Sequence, residues 1–309
     1  MSEFLFKRSL QTIVTMFGVV TLVFFIQRLS GDPTLLLVPE GASREDIEAL
    51  RESLGFNRPL YIQYFEYLAG LMQLDFGRSV VRNADVLGIV ASRLPYTLML
   101  AGGALVVAVG IGIPLGVLMA VKKGTATARA MMAVVLTGQS LPTFWSGILL
   151  ILLFAVTLGW LPASGARGWS SLILPSIALG LLSMATFARV ARTAMLDELG
   201  KDYVRTARAK GVATRQIVMR HLLRNSSIPV ITVAALEIAN LLAGAVIVET
   251  VFAWPGLGRL AVESINSRDF PIVQAIVLIG SFAFIALNLL ADILYSVVDP
   301  RIRLKGDSR

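Results

Sequence analysis

Long apolar runs separated by short charged links make up most of this chain. The run Gly102–Val121 carries no charged side chain, over roughly the 20 residues that a helix needs to cross a bilayer. Five further long apolar runs with at most a few charged residues lie along the chain. The predicted spans are Ser9–Leu29, Pro95–Val121, Ala130–Leu158, Leu172–Met195, Ile228–Phe252 and Pro271–Val298. The pattern therefore predicts an all-α membrane protein with six transmembrane helices.

The first apolar run raises the question of a secretory signal, because Lys7 and Arg8 precede it. Signal peptides end in a cleavage site of the A-x-A type, and the residues that close this run, FIQRLSGDP, lack one. We therefore interpret residues 1–30 as a first transmembrane helix that stays in the protein.

Residues 31–94 show helical periodicity but are too polar to span a membrane. Ser43 is placed to cap a helix with an acidic first turn, and Gly55 is placed to end it. Pro59 suits the first turn of a second helix. The predicted apolar stripe of that helix consists of Leu60, Tyr64, Leu68 and Leu71. Two amphipathic helices here are typical of a lid or a docking surface, and helices that lie on the bilayer surface fit the same pattern.

Composition supports the membrane assignment and narrows the chemistry. Of the 309 residues 56% are hydrophobic and only 16% are charged, against about a quarter charged in soluble proteins. The mean hydropathy is +0.74. The chain has no cysteine and one histidine, which excludes disulfides, thiolate metal sites and histidine-cluster metal sites.

The net charge of +8 orients the spans and does not indicate a nucleic-acid partner, because the basic residues flank apolar runs. The links Lys122–Arg129 and Asp197–Arg224 and the tail 299–309 are rich in Lys and Arg, whereas 31–94 has more acids than bases. Basic links stay in the cytoplasm. We therefore expect both termini and the tail inside, residues 31–94 outside, and a five-helix core at 95–298.

The loop at residues 197–224 is the most basic part of the chain, with seven Lys or Arg against three acids. Good helix formers predict a helix from Asp197 to Lys210. Gly211 is placed to end it in the left-handed conformation, and Thr214 begins the next helix. We name this arrangement of two helices joined by a tight turn the elbow. It fits either a loop that contacts lipid phosphates or a docking site for a cytoplasmic partner.

Candidate chemistry inside the chain is sparse. There is no G-x-x-x-x-G-K-[ST] phosphate loop, and a lone His221 among arginines supports no catalytic triad. We predict no catalytic, cofactor-binding or metal-binding residue. Glu237 and Asn240 share a helical face deep in the fifth span. They fit either a helix–helix hydrogen bond or the lining of a translocation path.

The chain resembles a known family through its basic loop and a series of blocks in the same order. The loop contributes DYVRTARAKG, followed by HLLRNSSIPV. The other blocks are SGDP at 30–33, LDFGRS at 74–79, RLPYTL at 93–98, GIPLGVLMA at 112–120, LGWLPASG at 158–165, ILPS at 173–176, VETVFAWPGLGRL at 248–260, NSRDFPIVQ at 266–274 and ADILYSVVDPRIR at 291–303. Together they resemble the binding-protein-dependent ABC-transporter permeases, in the dipeptide, oligopeptide and nickel branch.

The resemblance implies the type I ABC importer permease fold and a non-enzymatic transport subunit of the bacterial cytoplasmic (inner) membrane. Its expected partners are a homologous second permease, an extracytoplasmic substrate-binding protein and cytoplasmic ABC ATPases that bind ATP and Mg. The expected ATPase-coupling residues are Arg205, Ala207, Arg208, Lys210 and Gly211. One departure is that the broad family motif begins Glu-Ala-Ala, where this chain has Arg205, Thr206 and Ala207.

The sequence does not determine which solute is transported. The resemblance implies di- or oligopeptides, with nickel chelates, glutathione or another small solute as alternatives. A secondary transporter would need ionisable groups deep in the membrane, and Glu237 is the one good candidate. A membrane enzyme would need convergent acids, bases or metal ligands, which the sequence lacks.

Overall fold

The computed structural model describes residues 2–29, 43–53 and 55–298, and this part of the chain contains helices and no β-strand. The SGDP block, Leu54 and the tail 299–309 lie outside it. The helices are α1 (Ser2–Leu29), α2 (Arg44–Ser53), α3 (Leu60–Met72), α4 (Val86–Val121), α5 (Ala126–Ser140), α6 (Thr143–Leu150), α7 (Ser170–Leu199), α8 (Asp202–Ala209), α9 (Thr214–Ile217), α10 (Leu223–Val251), α11 (Leu257–Asn266) and α12 (Phe270–Val298). Two π-helical segments, Ile151–Thr157 and Val218–Leu222, continue α6 and α9. The predicted all-α class is confirmed.

The chain packs as two compact units. The first consists of Met1–Pro95 and Leu260–Ile285, and the second consists of Tyr96–Arg259 and Ala286–Arg309. The division expected from the sequence, at residues 30, 94 and 298, follows the order of spans along the chain and stays a prediction.

Four helices in the described residues are long and apolar enough to cross a membrane. They are Val86–Val121, Ser170–Leu199, Pro229–Val251 and Phe270–Leu289. α1 adds a shorter apolar stretch, Leu10–Ile26. α4 begins well before the predicted start at Pro95. The reason is that Asp85 accepts a hydrogen bond from the Gly88 backbone nitrogen at 2.7 Å and so stabilises an earlier helix start.

The third predicted span, Ala130–Leu158, is broken in its middle and is not one continuous helix. α5 and α6 with its π-helical continuation are bent by 106° at a short break. Leu141 is extended (φ −81°, ψ 130°) and Pro142 precedes the first residue of α6. A residue before proline avoids the α conformation, and proline has no N–H to continue the helical ladder. Pro142 therefore breaks the helix here.

Helices α2 and α3 belong to residues 31–94, which we name the outer segment. Both start as predicted, but the buried face of α3 is not the predicted one. Ser43 caps α2 through its hydroxyl, which accepts from the Asp46 nitrogen at 3.1 Å. On α3, Leu60 is exposed, and the buried residue is Gln63. The Gln63 amide donates to the Phe56 and Arg58 carbonyl oxygens at 3.1 and 2.6 Å. Backbone carbonyls thus satisfy the Gln63 Nε2 group, although its Oε1 atom has no hydrogen-bond partner among the described residues. These bonds account for a polar residue on the buried side of α3, where Leu60 was expected.

Glycines allow α4 and α7 to approach closely in the second unit. A Cβ at Gly112 would lie 2.6 Å from the Met184 carbonyl oxygen. A Cβ at Gly116 would overlap the Ala188 carbonyl oxygen. Real Cβ atoms do not come so close, so a larger residue would push the two helices apart. The Gly112-x-x-x-Gly116 spacing thus permits the close helix approach typical of small residues four apart in membrane helices.

The buried carboxylate of Glu249 contacts several other residues of the VETVFAWPGLGRL block. Glu249 is 0% exposed and accepts hydrogen bonds from the Thr97 hydroxyl at 2.6 Å and the Arg259 nitrogen at 3.0 Å. The Thr97 oxygen in turn accepts from the Leu257 nitrogen at 2.8 Å. A Cβ at Gly256 would overlap the Glu249 carboxylate. Glu249 therefore ties the start of α11 to α4 and α10.

We predict that Gly112→Ala destabilises the protein by overpacking, by about 1–3 kcal/mol. Gly110→Ala is the matched control, because Gly110 lies on the same helix with nothing within 4 Å of its added Cβ. The control should be neutral or gain up to about 1 kcal/mol from helix propensity. Thermal unfolding of the detergent-purified variants measures both effects, and equal melting temperatures for the two would contradict the close packing.

Candidate functional site

The basic loop forms a helical elbow, but its first helix is shorter than predicted. The expected helix Asp197–Lys210 is wrong, because α7 ends at Leu199 and α8 starts at Asp202. Gly200 ends α7, and Lys201 is extended with φ −77° and ψ 151°. Glycine is among the poorest helix formers, which accounts for the break there. The elbow is thus α8, a turn and α9, attached to α7 by a second turn.

The turn after α8 has the geometry expected for Gly211. Its φ is +78°, in the left-handed region that glycine adopts without steric cost. The Gly211 nitrogen donates to the Arg208 carbonyl at 2.9 Å, and the Val212 nitrogen donates to the Ala207 carbonyl at 3.1 Å. These two bonds form a Schellman motif. The prediction that Gly211 ends the helix, with Thr214 starting the next, is confirmed.

The outer face of the elbow is basic and exposed. Arg205, Arg208 and Lys210 are all exposed. Arg205 lies 3.5 Å from Asp202 in an ion pair whose side chains are 77% and 94% exposed. Exposed pairs of this kind contribute little, so the Arg205 guanidinium stays available to a partner.

The inner face of the elbow joins a hydrophobic cluster at the ends of three long helices. Val204 is fully buried, and Ala207 packs beside it. The buried members of this cluster are Ala120, Met195, Val204, Ile217, Val218 and Leu222. They come from α4, α7, α8 and the helix that leads into α10. The small side chain of Ala207 therefore serves packing, while Arg205 and Arg208 on the same helix stay exposed.

A polar cluster around Glu198 fixes the turn between α7 and α8. The Glu198 carboxylate accepts from the Tyr203 hydroxyl at 2.7 Å and from the Asn225 amide at 3.3 Å, and it pairs with Lys201. Burial raises the pKa of the Tyr203 phenol, and donation to Glu198 adds to the rise. This Glu198 cluster joins α7, α8 and α10. The sequence interpretation missed it because it placed Glu198 within a continuous helix.

Glu237 makes a hydrogen bond between two helices, which was one of the two readings open from the sequence. It is half-buried on α10, and its carboxylate accepts from the Ser183 hydroxyl of α7 at 2.5 Å. Asn240 is exposed. The Glu237 side chain is partly accessible beside this hydrogen bond.

A second polar pair and an open groove lie along α7. The Arg189 guanidinium donates to the Gln139 side chain of α5 at 2.5 Å. A groove of about 320 Å³ opens beside Arg189. Its lining residues are Arg189, Val190, Thr193, Ala194, Asp197 and Pro229. Intramembrane ionisable residues mostly face the bundle interior or a water-filled cavity, and the sequence interpretation had singled out only Glu237. Among the described residues, no group of three or more His, Asp or Glu side chains is placed to hold a metal ion.

Comparison with protein families identifies the class to which these features belong. Residues 1–101 match the N-terminal model of the binding-protein-dependent transport system membrane components. Residues 112–304 match the model of the binding-protein-dependent transport system inner membrane component. The chain belongs to this family of ABC-transporter permeases, and it is a multi-pass inner membrane protein. The family predicted from the sequence blocks is confirmed.

Curated relatives cover the chain end to end. The glutathione transport system permease protein GsiC of Escherichia coli strain K12 is 44% identical over 306 residues, which is 99% of this chain and 100% of that protein. The GsiC protein of Shigella dysenteriae serotype 1 has the same identity and coverage.

Solved structures support the fold at lower sequence similarity. The inward-facing MetNI methionine ABC transporter matches with a TM-score of 0.59 at 20% identity, over 69% of this chain and 97% of that chain. An amino acid ABC transporter with histidines matches with a TM-score of 0.53 at 18% identity, over 68% and 94%. The predicted type I importer permease fold is confirmed.

Proposed function

We propose that this ABC importer permease subunit carries short peptides, glutathione among them, across the inner membrane. The observation that supports this substrate class is the 44% identity to glutathione permeases over 99% of the chain. In the proposed complex a second permease completes the pathway and an extracytoplasmic binding protein delivers the peptide. Partner ABC ATPases bind and hydrolyse ATP with Mg.

We further propose that the elbow is the docking site of one ATPase. Its exposed residues Arg205, Arg208 and Lys210 would contact the partner, while Gly211 sets the angle of the turn. The inner face of α8 is fixed to α7 and α10 by the hydrophobic cluster around Val204 and by the Glu198 cluster. A displacement of the elbow would therefore move the membrane helices with it. This assignment places the elbow and both termini in the cytoplasm, in agreement with the basic links.

The seam between α7 and α10 is our candidate for part of the translocation path. Glu237 lies eight residues beyond Pro229 on α10, about 12 Å along the helix. The polar groove residues Arg189, Thr193 and Asp197 lie on α7 between Ser183 and the elbow. Polar groups at this depth cost least where they meet water or a polar substrate. Glu237 and Asn240 are the proposed path residues.

We predict that Gly211→Val lowers transport while the spans still insert. With nothing within 4 Å of the added side chain's first atom, the cost is that of the left-handed backbone, about 1–2 kcal/mol. Such a cost reduces the native elbow population relative to distorted forms by a factor of about 5 to 30. ATP-driven uptake and co-purification of the ATPases from membranes measure the effect.

Gly124→Val is the matched control for the elbow. Gly124 has φ +85° and equally open surroundings, so valine meets the same backbone penalty in the turn between α4 and α5. Membrane abundance should be similar for both variants, and uptake should fall only for Gly211→Val. Equal uptake by the two variants would show that the elbow angle does not matter for coupling.

We predict that Glu237→Gln changes the uptake rate or the preference between glutathione and a dipeptide, with near-normal complex yield and basal ATPase activity. Glutamine keeps the shape and an acceptor for Ser183 but removes the charge. Ser183→Ala is the control, because it removes the hydrogen bond and keeps the carboxylate. If Ser183→Ala reproduces the whole effect, or if Glu237→Gln leaves uptake of both substrates unchanged, Glu237 has only a structural role.

A further inference from the structure

Helix α3 has two faces of different character. One face carries Tyr64 and Tyr67, which pack on α1. A neighbouring face exposes apolar and aromatic side chains, with Tyr61 and Phe65 each 65% exposed and Met72 87% exposed. These residues follow one another at spacings of four and seven, so they share one side of the helix. We name this side, comprising Tyr61, Phe65 and Met72, the outer face of α3.

The inner face of α3 is fixed to α1 at a known position along the apolar stretch of α1. The Tyr64 and Thr21 hydroxyls lie 2.7 Å apart in a hydrogen bond. The ring of Phe24, which is 2% exposed, lies 5.2 Å from the Tyr64 ring and 5.5 Å from the Tyr67 ring. Aromatic pairs at these distances are favourable contacts. α3 therefore lies directly against the segment Thr21–Phe24.

This contact sets the depth of α3 relative to the apolar stretch Leu10–Ile26. Thr21 precedes Ile26 by five residues, which is about 7.5 Å at 1.5 Å per residue. Interfacial helices bury their apolar face about 5–10 Å into the boundary between headgroups and acyl chains. The position of α3 along α1 thus matches the depth of an interfacial helix.

The exposed surface is continuous from α1 to α3. Phe25 of α1 is 48% exposed, and its ring lies 6.4 Å from the Tyr64 ring. The Tyr64 ring in turn lies 5.9 Å from the Phe65 ring. Tyrosine is enriched at membrane–water interfaces, and phenylalanine is common on the apolar face of helices that lie in the interface. The outer face of α3 therefore extends the apolar surface that α1 presents.

The charged residues of the outer segment lie mainly on α2 and not on α3. The one ionisable acid or base on α3 apart from its tyrosines is Glu66, which pairs with Arg58 before the helix. Helix α2, in contrast, carries Glu45, Asp46, Glu48 and Glu52 and exposes them all. A helix with that charge pattern belongs in water, whereas a face with Tyr61, Phe65 and Met72 does not.

We propose that α3 is embedded in the outer boundary of the lipid bilayer, with its Tyr61–Phe65–Met72 face against acyl chains and headgroups. Of the two readings that the sequence left open for this segment, α3 takes the bilayer-surface role, and α2 remains in the aqueous phase. The helix would thereby hold the extracytoplasmic segment at a fixed height on the membrane.

Spin labels at single cysteines test this proposal, because the chain has no native cysteine. The variants are Tyr61→Cys and Phe65→Cys, in the assembled transporter in nanodiscs of phosphatidylethanolamine and phosphatidylglycerol. Glu52→Cys on α2 is the aqueous control, and Val106→Cys, at a position 72% exposed on α4, is the lipid control. Collision rates with oxygen, which concentrates in lipid, are compared with those of a water-soluble nickel chelate.

Labels at 61 and 65 should collide with oxygen several-fold more than with the nickel chelate, as at 106, and the label at 52 should show the reverse. Strong collisions with the chelate at 61 and 65 would overturn the proposal and leave this face as an aqueous docking surface. Protection from both reagents would overturn it in favour of contact with another protein chain. The result does not depend on the identity of the transported solute.

Discussion

The close packing of α7 against its neighbours is the constraint on which the second unit depends. α7 contributes buried residues to each of four hydrophobic clusters, such as Leu174, Ala185, Phe187 and Met195. The contact with α4 is close only because Gly112 and Gly116 lack side chains. Gly180 of α7 has the same role, since a Cβ there would lie 2.7 Å from the Ala104 carbonyl oxygen. Polar pairs from Ser183 and Arg189 add hydrogen bonds to two further helices.

This packing has a consequence for the basic elbow at the end of α7. The elbow has no hydrophobic core of its own, and its buried residues belong to the cluster that closes the ends of α4, α7 and α10. The Glu198 cluster adds hydrogen bonds that join α7, α8 and α10. Packed interiors transmit displacement because they have few voids to absorb it. The elbow is therefore built as an extension of the membrane helices, which suits a part that would receive force from a partner.

The sequence predicted those features that depend on local chemistry. The left-handed turn at Gly211 and the cap at Ser43 need only the residue itself and its near neighbours, and both are present. The long apolar runs likewise predicted the helices. The family resemblance, carried by ordered blocks, predicted the fold class.

Features that depend on distant contacts could not be read in the same way. The break after Leu199 is stabilised by Tyr203 and Asn225, the latter 27 residues away from Glu198. The start of α4 depends on the hydrogen bond that Asp85 accepts from the Gly88 nitrogen, whereas the apolar run alone predicts a start at Pro95. The length and composition of the third apolar run do not reveal the bend of 106° at Pro142. The buried Glu249 depends on Thr97, 152 residues earlier, so no local pattern reveals it.

The central claim is that the elbow and the membrane helices move as one body. Spin labels at Ala209→Cys, exposed at the end of α8, and at Leu182→Cys, at a position 50% exposed on α7, allow the distance between them to be measured by pulsed electron paramagnetic resonance. The assembled transporter is measured without nucleotide and after trapping with ATP and vanadate. The account predicts the same distance distribution in both states. A shift of the mean distance by one helical turn, about 5.4 Å, or more would contradict it, because the elbow would then move independently of α7.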